Sequence, residues 1–328
     1  MLLVTGGAGF IGSNFVHQYI RNYDKPVIVL DKLTYAANLN NLMDPAYKNN
    51  IILKEMDIGD SEAVNDVLLG YKVSKIVNFA AESHVDNSIK NSTPFIQSNI
   101  VATENFFYTA FNYHKYLEKI NAFDRLRFIH VSTDEVYGSL THFHPPSHEG
   151  SPYAPRSLYS ASKAASDHIA MAYYHTHGFP LVLTNCSNNY GPHQHVEKFI
   201  PTVITRALRN QKIPVYGDGK NIRDWIYVTD HCDALLWLLR EYRPGEQYNI
   251  GAGVQINNLD LATKILNIMG KPLDLIEFVE DRKGHDFRYD LNTEKIHELL
   301  RNKWFPVIGL DHGLKKTIEW YTKRTFLI

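Results

Sequence analysis

A tyrosine and a lysine four residues apart are the first side chains in this sequence whose types and spacing could do chemistry. Tyr159 and Lys163 stand in the segment YSASK, and partners at this spacing share one face of a helix. A lysine cation beside a phenol favours the phenolate, so we expect the pKa of Tyr159 to fall below its usual value of about 10. Tyr159 is therefore a candidate acid–base group for a hydroxyl whose carbon gives up a hydride. The alternative is an ordinary exposed pair on a helix surface.

Two adjacent carboxyl groups form the second candidate. Asp134 and Glu135 follow Ser132 and Thr133, two hydroxyl-bearing residues at the end of a predicted strand. Neighbouring carboxyl groups can divide acid and base work if their surroundings separate their pKa values. Adjacent side chains within a strand point to opposite faces, but beyond the strand end both can reach one substrate. The alternative is a capping box, because Ser132 and Glu135 fit the S-x-x-E pattern.

A glycine-rich turn follows the first predicted strand. The spacing of Gly6, Gly9 and Gly12 leaves backbone N–H groups at a helix start open to a pyrophosphate. Asp31 ends the next predicted strand, where a carboxylate accepts hydrogen bonds from an adenosine ribose and repels a 2′-phosphate, which favours NAD over NADP. A plain strand-to-helix turn, and a cap at Asp31, are the alternatives. Strand order alone places five more residues along the adenine and the nicotinamide ribose: Asp57, Ile58, Phe79, Ala80 and Ala81.

The elements that must position these residues alternate along the first half of the chain. Near-continuous apolar runs predict strands buried on both faces of a parallel sheet, at 1–4, 27–31, 51–54, 75–79, 127–132 and 180–185. Amphipathic segments predict helices at 11–23, 61–70, about 95–116, about 160–177, about 258–269 and 312–324. This alternation predicts an α/β fold with a Rossmann-like, doubly wound parallel sheet and a smaller mixed α/β lobe. We expect the nucleotide-binding domain to take 1–187 with 224–250, and the substrate lobe to take 188–223 with 251–328.

Composition narrows the class of protein. At about 150 residues per domain, 328 residues suggest two lobes, and 44% hydrophobic residues supply a core. The 34 basic and 35 acidic side chains argue against a nucleic-acid partner. No apolar run is long enough to cross a bilayer, and the start MLLVTGGAGF lacks the features of a signal peptide. Two cysteines, Cys186 and Cys232, suit a reducing compartment. We therefore expect a cytoplasmic enzyme or binding protein without a membrane partner.

Several longer motifs occur together, in a matching order, along almost the whole chain. They are DKLTY at 31–35, FAAESHVDNS at 79–88, STDEVYG at 132–138, YSASK at 159–163, NCSNNYGPHQ at 185–194, EKFIP at 197–201, GDGKNIRDWIYVTDH at 217–231 and DRKGHD at 281–286. With the glycine-rich opening, they resemble the extended short-chain dehydrogenase/reductases, and most closely the dTDP-glucose 4,6-dehydratases. The adjacent carboxyl groups separate this resemblance from the related sugar-nucleotide epimerases, which lack them after the fifth strand.

The resemblance implies a reaction on a nucleotide sugar, with NAD as the cofactor. C4 of dTDP-glucose is oxidised, water is lost across C5–C6, and hydride returns to C6, which gives dTDP-4-keto-6-deoxy-glucose for rhamnose-type deoxysugar biosynthesis. By resemblance, Thr133 hydrogen-bonds the C4 oxygen, Asp134 is the general acid and Glu135 is the general base. Tyr159 takes the C4 hydroxyl proton, and Lys163 tunes Tyr159 and holds the nicotinamide ribose.

The resemblance also implies the residues that bind each ligand. Those expected to contact NAD are Gly6, Gly9, Phe10, Ile11, Gly12, Asp31, Lys32, Leu33, Thr34, Asp57, Ile58, Phe79, Ala80, Ala81, Ser83, Ser98, Tyr159, Lys163 and Asn189. Those expected to contact the nucleotide sugar are Ser83, Thr133, Asn188, Glu197, Lys198, Pro214, Tyr216, Arg223, Asn258, Arg282 and His285. Arginines are apt clamps for a pyrophosphate. Lys283 stands where the pattern DRPGHD has proline, which leaves dTDP and UDP open as the nucleotide.

Other interpretations concern the reaction, a metal site and the oligomeric state. A UDP-sugar epimerase or decarboxylase shares the fold, and a catalytically silent NAD-sensing protein would be expected to lose Tyr159 or Lys163, which are both present. The histidines at 142, 144 and 148 lie in a proline-containing segment, so we expect a surface loop and no metal site. The helices at about 95–116 and 160–177 correspond to helices that pair between subunits in the family, which predicts a homodimer by resemblance.

Overall fold

A computed structural model describes residues 1–122, 126–301 and 303–324. Its strands are β1 Leu2–Thr5, β2 Val27–Asp31, β3 Ile51–Glu55, β4 Lys75–Asn78, β5 Arg127–Thr133, β6 Leu181–Cys186, β7 Asn188–Tyr190, β8 Ile213–Tyr216, β9 Ile222–Tyr227, β10 Gln247–Ile250, β11 Gln255–Asn257 and β12 Ile276–Val279. Its α-helices are α1 Phe10–Tyr23, α2 Ser61–Gly70, α3 Val85–Lys90, α4 Thr93–Ile96, α5 Thr103–Lys119, α6 Leu158–His177, α7 Phe199–Leu208, α8 Val228–Arg240, α9 Asn258–Met269, α10 Glu294–Leu299 and α11 Leu310–Lys323.

Seven parallel strands form the central sheet of the larger lobe. They lie in the order β3-β2-β1-β4-β5-β6-β10, and each neighbouring pair runs parallel. Side chains of β1 alternate between two layers: Leu2 and Val4 pack in the core that includes α1 and α8 residues, whereas Leu3 packs in the core beneath α2, α5 and α6. This arrangement confirms the predicted doubly wound α/β fold.

The smaller lobe contains short strands and three helices. The three-stranded sheet has the order β11-β9-β7, and β8 pairs with β12 in parallel. Ile204 of α7, Leu261 and Ile265 of α9, and Leu314 of α11 are buried together in its core. Between the lobes the chain returns to the central sheet, because β10 joins β6 and α8 packs against α1.

The six predicted strands are each found within a residue or two of their predicted bounds, and five of the six predicted helices agree equally well. The helix expected at about 95–116 is divided: α4 is followed by a π-helical segment, Gln97–Ala102, and then by α5. No helix or strand was predicted between residues 187 and 257, so α7, α8 and β7 to β11 were missed; α3, β12 and α10 were missed as well. Among the residues described, no helix combines the length and the apolar character that crossing a bilayer requires.

Candidate active site

One cleft lies at the carboxyl ends of the central strands, where ligands bind in open parallel sheets. It brings together most of the residues predicted from the sequence. Those in its walls are Gly6, Gly9, Phe10, Ile11, Gly12, Asp31, Lys32, Thr34, Asp57, Ile58, Phe79, Ala80, Ala81, Ser83, Ser98, Thr133, Asp134, Glu135, Tyr159, Lys163, Asn188, Asn189, Glu197 and Lys198. Residues from strands β1 to β6 therefore meet residues from the segment that leads into α7.

The glycine-rich turn between β1 and α1 has space for a ligand and for no side chain. Gly6 has a positive φ of 65°, and a Cβ there would lie 2.8 Å from the backbone nitrogen of Ala80. A Cβ on Gly12 would lie 2.3 Å from the Gly6 carbonyl oxygen. Helix α1 begins at Phe10 directly beside this turn, so its first N–H groups face the cleft. The turn fits the pyrophosphate of a dinucleotide.

Asp31 ends β2 and ties two segments of the cleft together. Its Oδ2 accepts a hydrogen bond from Ala8 N and its Oδ1 accepts one from Leu33 N, each at 2.9 Å. Leu33 does not line the cleft; it adopts a positive φ of 55° and turns the chain after β2. Burial raises the pKa of Asp31, and the two backbone hydrogen bonds oppose that shift. The remaining lone pairs of the carboxylate suit a ribose hydroxyl.

Lys32 and Asp57 form an ion pair at the rim of the cleft, with 2.8 Å between Nζ and Oδ2. Burial disfavours ionisation of Asp57, but the hydrogen bonds from Lys32 and from Gly59 N prevail and lower its pKa. The pair is partly exposed, so its contribution to stability is small. It shapes the part of the cleft between β2 and β3 rather than the reactive end.

Tyr159 and Lys163 lie in the first turns of α6, against the end of β5. Ser157 caps this helix: its Oγ accepts from Ser160 N, and Ser160 Oγ accepts from Ser157 N, each at 3.0 Å. Lys163 Nζ donates to the Val131 carbonyl oxygen at 3.0 Å. Both side chains are thereby held on the face of α6 that the spacing predicted.

The pKa of Tyr159 moves in the direction opposite to the predicted one. Burial raises it well above 10, and the negative charge of Glu135 adds to this shift, whereas a hydrogen bond with Thr133 opposes it. The prediction failed because a phenolate in this buried position loses its hydration, and because the cation of Lys163 is directed at a backbone carbonyl.

Asp134 and Glu135 lie beyond the end of β5, as the sequence analysis required. They start a single 3-10 turn, Asp134–Tyr137, that follows Thr133. The Thr133 hydroxyl accepts a hydrogen bond from Glu135 N at 3.3 Å. The capping box with Ser132 is wrong, since Ser132 Oγ donates to Asp167 instead. Both carboxyl groups thus stay in the cleft wall.

The two carboxyl groups have different electrostatic surroundings. Burial raises the pKa of Asp134 well above its usual value, and the charges of Glu135 and Asp224 raise it further. Burial also raises the pKa of Glu135, but the cations of Arg223 and Lys198 oppose that shift. Asp134 is therefore the better proton donor, and Glu135 is the better proton acceptor.

Positive side chains from the smaller lobe lie next to Glu135: Lys198 belongs to the cleft wall and Arg223 lies outside it. Arg223 donates to the carbonyl oxygens of Ile222 at 2.7 Å and Asp286 at 2.9 Å, and its guanidinium stacks 4.3 Å from the Tyr289 ring. Lys198 reaches the larger lobe, where Nζ donates to the Ser83 carbonyl at 2.7 Å. These cations make the region beside Glu135 suitable for a diphosphate.

The other predicted substrate residues lie further along the smaller lobe. Arg282 pairs with Asp86 of α3, with 3.5 Å between Nε and Oδ1, and lies over the Tyr216 ring at 4.7 Å. His285 Nδ1 is 2.7 Å from Asp281 Oδ1. Two further predicted substrate residues lie in regular elements: Pro214 is in β8, and Asn258 is the first residue of α9. Contact of these residues with the substrate, and of Leu33 with NAD, stays a prediction.

The sequence analysis missed several residues of the cleft wall. They include Glu82, Val131, Cys186, Ser187, Gln194 and His195. Most belong to the quoted motifs FAAESHVDNS and NCSNNYGPHQ, so membership of a motif was the available signal. Within the described ranges, no group of three or more His, Cys, Asp or Glu side chains is arranged to hold a metal ion.

Comparisons with known proteins extend over nearly the whole chain. The family model described as GDP-mannose 4,6 dehydratase matches residues 3–317. A dTDP-glucose 4,6-dehydratase of Haemophilus influenzae is 43% identical, over 98% of this chain and 97% of that protein. The low-salt glycan biosynthesis protein Agl12 of Haloferax volcanii is 45% identical over 98% of each chain. The structure of DesIV, a dTDP-glucose 4,6-dehydratase from Streptomyces venezuelae with NAD and TYD bound, has a TM-score of 0.90 at 41% identity and covers 99% of this chain and 98% of its own.

Proposed function

The chain belongs to the nucleotide-sugar 4,6-dehydratase family, and on this premise we propose that it converts dTDP-glucose to dTDP-4-keto-6-deoxy-glucose with NAD as cofactor. One observation carries the proposal: Asp134 and Glu135 share a cleft wall with Tyr159, and cations oppose the burial-driven rise of the Glu135 pKa while the charges of Glu135 and Asp224 add to that of Asp134. An elimination of water needs such a pair, whereas a simple dehydrogenation or an epimerisation does not.

The residues of the larger lobe fit NAD. The turn of Gly6, Gly9 and Gly12 is open to the pyrophosphate, and Asp31 is placed for the adenosine ribose. NAD, when bound, accepts the hydride from C4 of the sugar and later returns it to C6. Lys163 and Asn189 stand at the other end of the cleft, where they would hold the nicotinamide end.

The protein's own side chains then move three protons. Tyr159 takes the proton of the C4 hydroxyl in its phenolate form, which burial makes the minor form, and Thr133 hydrogen-bonds the oxygen that becomes the ketone. The ketone acidifies the hydrogen at C5, which Glu135 removes as the general base. Asp134 gives its proton to the departing O6 hydroxyl, so the C6–O6 bond breaks and one molecule of water leaves. Glu135, whose proton exchanges with the solvent, returns a proton to C5 when the hydride reaches C6.

The choice between dTDP and UDP is tested directly. The purified protein is incubated separately with dTDP-glucose and UDP-glucose in heavy water, and the 4-keto-6-deoxy product is measured by NMR. We expect product from dTDP-glucose, with solvent deuterium at C5 and with a deuterium label from C4 recovered at C6. The Tyr159→Phe variant, which loses one oxygen and little volume, should retain less than about a hundredth of the turnover. Release of NADH without product, or washout of the C4 label into the solvent, would rule the proposal out.

We also propose that the protein forms a homodimer through α5 and α6. Several apolar side chains on and beside α5 are exposed in one chain, among them Val101 at 44% and Tyr108 at 54%. Val101 lies in the π-helical segment Gln97–Ala102, and Tyr108 lies in the second turn of α5. Light scattering should give the mass of two chains. The Tyr108→Glu variant should give a single chain, while Phe305→Glu, a control at an exposed position elsewhere, should not. An unchanged mass for Tyr108→Glu would contradict this interface.

A further inference from the structure

Asp167 is a buried carboxylate that none of the proposed steps uses. It lies on α6 four residues after Lys163 and eight after Tyr159, so the three side chains follow one face of the helix. Its exposed fraction is 1%. A carboxylate is costly to bury unless hydrogen bonds or an opposite charge compensate for its lost hydration. The partners of Asp167 therefore indicate why it is there.

Three donors from different segments converge on Oδ2 of Asp167. Ser132 Oγ of β5 donates at 2.8 Å, the Tyr153 hydroxyl donates at 3.1 Å, and Asn185 Nδ2 of β6 donates at 3.3 Å. Asn185 Nδ2 also donates to the Thr133 carbonyl oxygen at 3.0 Å. Asp167 thus joins α6 to β6 and to the end of β5, from which the segment with Asp134 and Glu135 extends.

The other oxygen, Oδ1, faces a neutral histidine. It has no hydrogen-bond partner among the described residues and lies 3.6 Å from Nε2 of His130. Burial lowers the pKa of His130 to about 4, and the cation of Lys163 contributes to this shift. His130 is therefore uncharged near neutral pH and does not balance the charge of Asp167.

The charge of Asp167 acts on Lys163, which lies one turn earlier on α6. Burial lowers the pKa of Lys163, and the negative charge of Asp167 opposes that shift. The other titratable groups that face Asp167 are the hydroxyls of Tyr137 and Tyr153, whose pKa burial and this carboxylate raise together. The thiol of Cys186 faces Lys163 from β6. Among these groups, Lys163 is the cation.

We propose that Asp167 is a positioning residue of this enzyme: it is the counter-charge of Lys163, and it holds the end of β5, with Thr133 and Asp134, in register with Tyr159 on α6. The inference rests on the proposed function, because it concerns turnover in the same site. It assigns a role to the spacing Tyr159, Lys163, Asp167, in which the third residue acts through the second and through the strand.

The Asp167→Asn variant tests both parts of the role. The turnover number for dTDP-glucose should fall about ten- to a hundredfold, the size of effect that a displaced reacting group produces. The KM should stay within about twofold of the wild-type value, since Asp167 lies outside the cleft wall. With the negative charge of Asp167 removed, the pKa of Lys163 should fall further. The alkaline limb of the turnover–pH profile should therefore move to lower pH by about one unit.

A neighbouring residue provides the matched control. Ser166 is as buried as Asp167 and carries no charge; its Oγ donates to the Lys163 carbonyl at 2.8 Å and lies 3.2 Å from His130 Nε2. The Ser166→Ala variant should therefore keep the alkaline limb at the wild-type pH. The Asp167→Glu variant keeps the negative charge that Asp167→Asn lacks, but the longer side chain displaces it. Its alkaline limb should therefore lie at the wild-type pH, while its turnover should stay reduced.

The outcomes separate this inference from the proposed function. Wild-type turnover of dTDP-glucose in the same assay tests the function, whereas the ratio of variant to wild type tests Asp167. Wild-type turnover in Asp167→Asn, or a loss of turnover with the limb at the wild-type pH, would overturn the inference. If the Asn variant does not fold, Asp167→Glu decides: reduced turnover with an unmoved limb supports the role, and full turnover overturns it.

Discussion

At the scale of single residues, the pKa values of two carboxyl groups that are neighbours in the chain are separated by residues far away in sequence. Asp134 is affected by the charge of Asp224, and Glu135 by the cations of Arg223 and Lys198. Strand β9 carries Asp224 and Arg223 side by side. The cation of Arg223 opposes the upward pKa shift of both carboxyl groups, whereas the charge of Asp224 adds to the shift of Asp134. An acid and a base therefore coexist at adjacent positions.

Replacing the proposed base should stop the reaction after the oxidation. In Glu135→Gln the C5 hydrogen has no acceptor, so we expect turnover to fall about 10²- to 10⁴-fold. Deuterium from heavy water should also be missing at C5, as measured by NMR of the recovered sugar. Glu319→Gln, at an exposed carboxyl group on α11, is the control. Normal incorporation of deuterium by Glu135→Gln would contradict the assignment.

The raised pKa of Glu135 predicts the acid side of the pH profile. The base works only when ionised, so turnover should decline as the pH falls through this pKa. Burial is the cause of the upward shift, and the decline should therefore begin above the pH expected of an ordinary glutamate with a pKa of about 4.3. Measured turnover numbers between pH 4 and 8 check the direction. The Asp134→Asn variant should keep this limb, because it retains Glu135.

Asp31 should determine the choice of dinucleotide. Asp31→Asn removes the charge that would face a 2′-phosphate, and its single side-chain oxygen can accept only one of the two backbone hydrogen bonds from Ala8 N and Leu33 N. We expect the wild type to bind NAD far more tightly than NADP and the variant to narrow this preference by about tenfold or more. Calorimetric titration with each dinucleotide measures the ratio. Equal wild-type affinities would refute the interpretation of Asp31.

At the scale of elements, α6 and the helix before it determine how the reactive face meets the cleft. The π-helical segment Gln97–Ala102 interrupts the run from α4 to α5. Asn99 in this segment donates to Ser162 Oγ of α6 at 2.8 Å and accepts from Glu82 N at 2.8 Å. One side chain thus joins α6 to the segment after β4. Such interruptions are frequent at functional sites.

The cap of α6 should matter for both stability and turnover. Ser157→Ala removes the acceptor for Ser160 N, so we expect the free energy of unfolding to fall by about 1 kcal/mol. Turnover should fall as well, because Tyr159 lies in the first turn of the helix. Urea denaturation and the dTDP-glucose assay measure the two effects. Ser157→Asp preserves a capping oxygen and should retain the stability; equal losses in both variants would argue against capping.

At the scale of the whole molecule, the fold buries histidines in their neutral form. Burial lowers the pKa of His231 to about 3 and that of His130 to about 4. In the unfolded chain a histidine has a pKa of about 6.5. Between these values the unfolded state binds more protons than the folded state, so these histidines contribute stability above about pH 6.5 that is lost as the pH falls.

A variant isolates this contribution from those of the carboxyl groups. In His231→Asn the free energy of unfolding should decrease less between pH 6.5 and 5 than in the wild type, by up to about 1.4 kcal/mol per pH unit. Urea denaturation at each pH measures the slopes. His175→Asn, at an exposed position on α6, should leave the wild-type slope unchanged. A His231→Asn slope equal to that of the wild type would contradict the prediction.

The sequence by itself determined the features that depend on neighbours along the chain. The apolar runs of β1 to β6 are continuous because a parallel sheet is covered on both faces, so each could be recognised alone. The glycine spacing between β1 and α1, Asp31 at the end of β2, and the carboxyl pair beyond β5 are likewise local patterns. In an open parallel sheet the ligand site lies at the carboxyl ends of the strands, so a side chain at such an end can be assigned to the site from its position in the sequence.

Only the tertiary structure decided what depends on distant segments. The pKa of Tyr159 rises because burial removes water from it, and burial is not a property of the spacing between Tyr159 and Lys163. The partners of Asp167 come from β5, from β6 and from Tyr153, which no periodicity connects. Strand β10 was missed because its place beside β6 is a pairing across about sixty residues, and desolvation and pairing of this kind arise only when the chain folds.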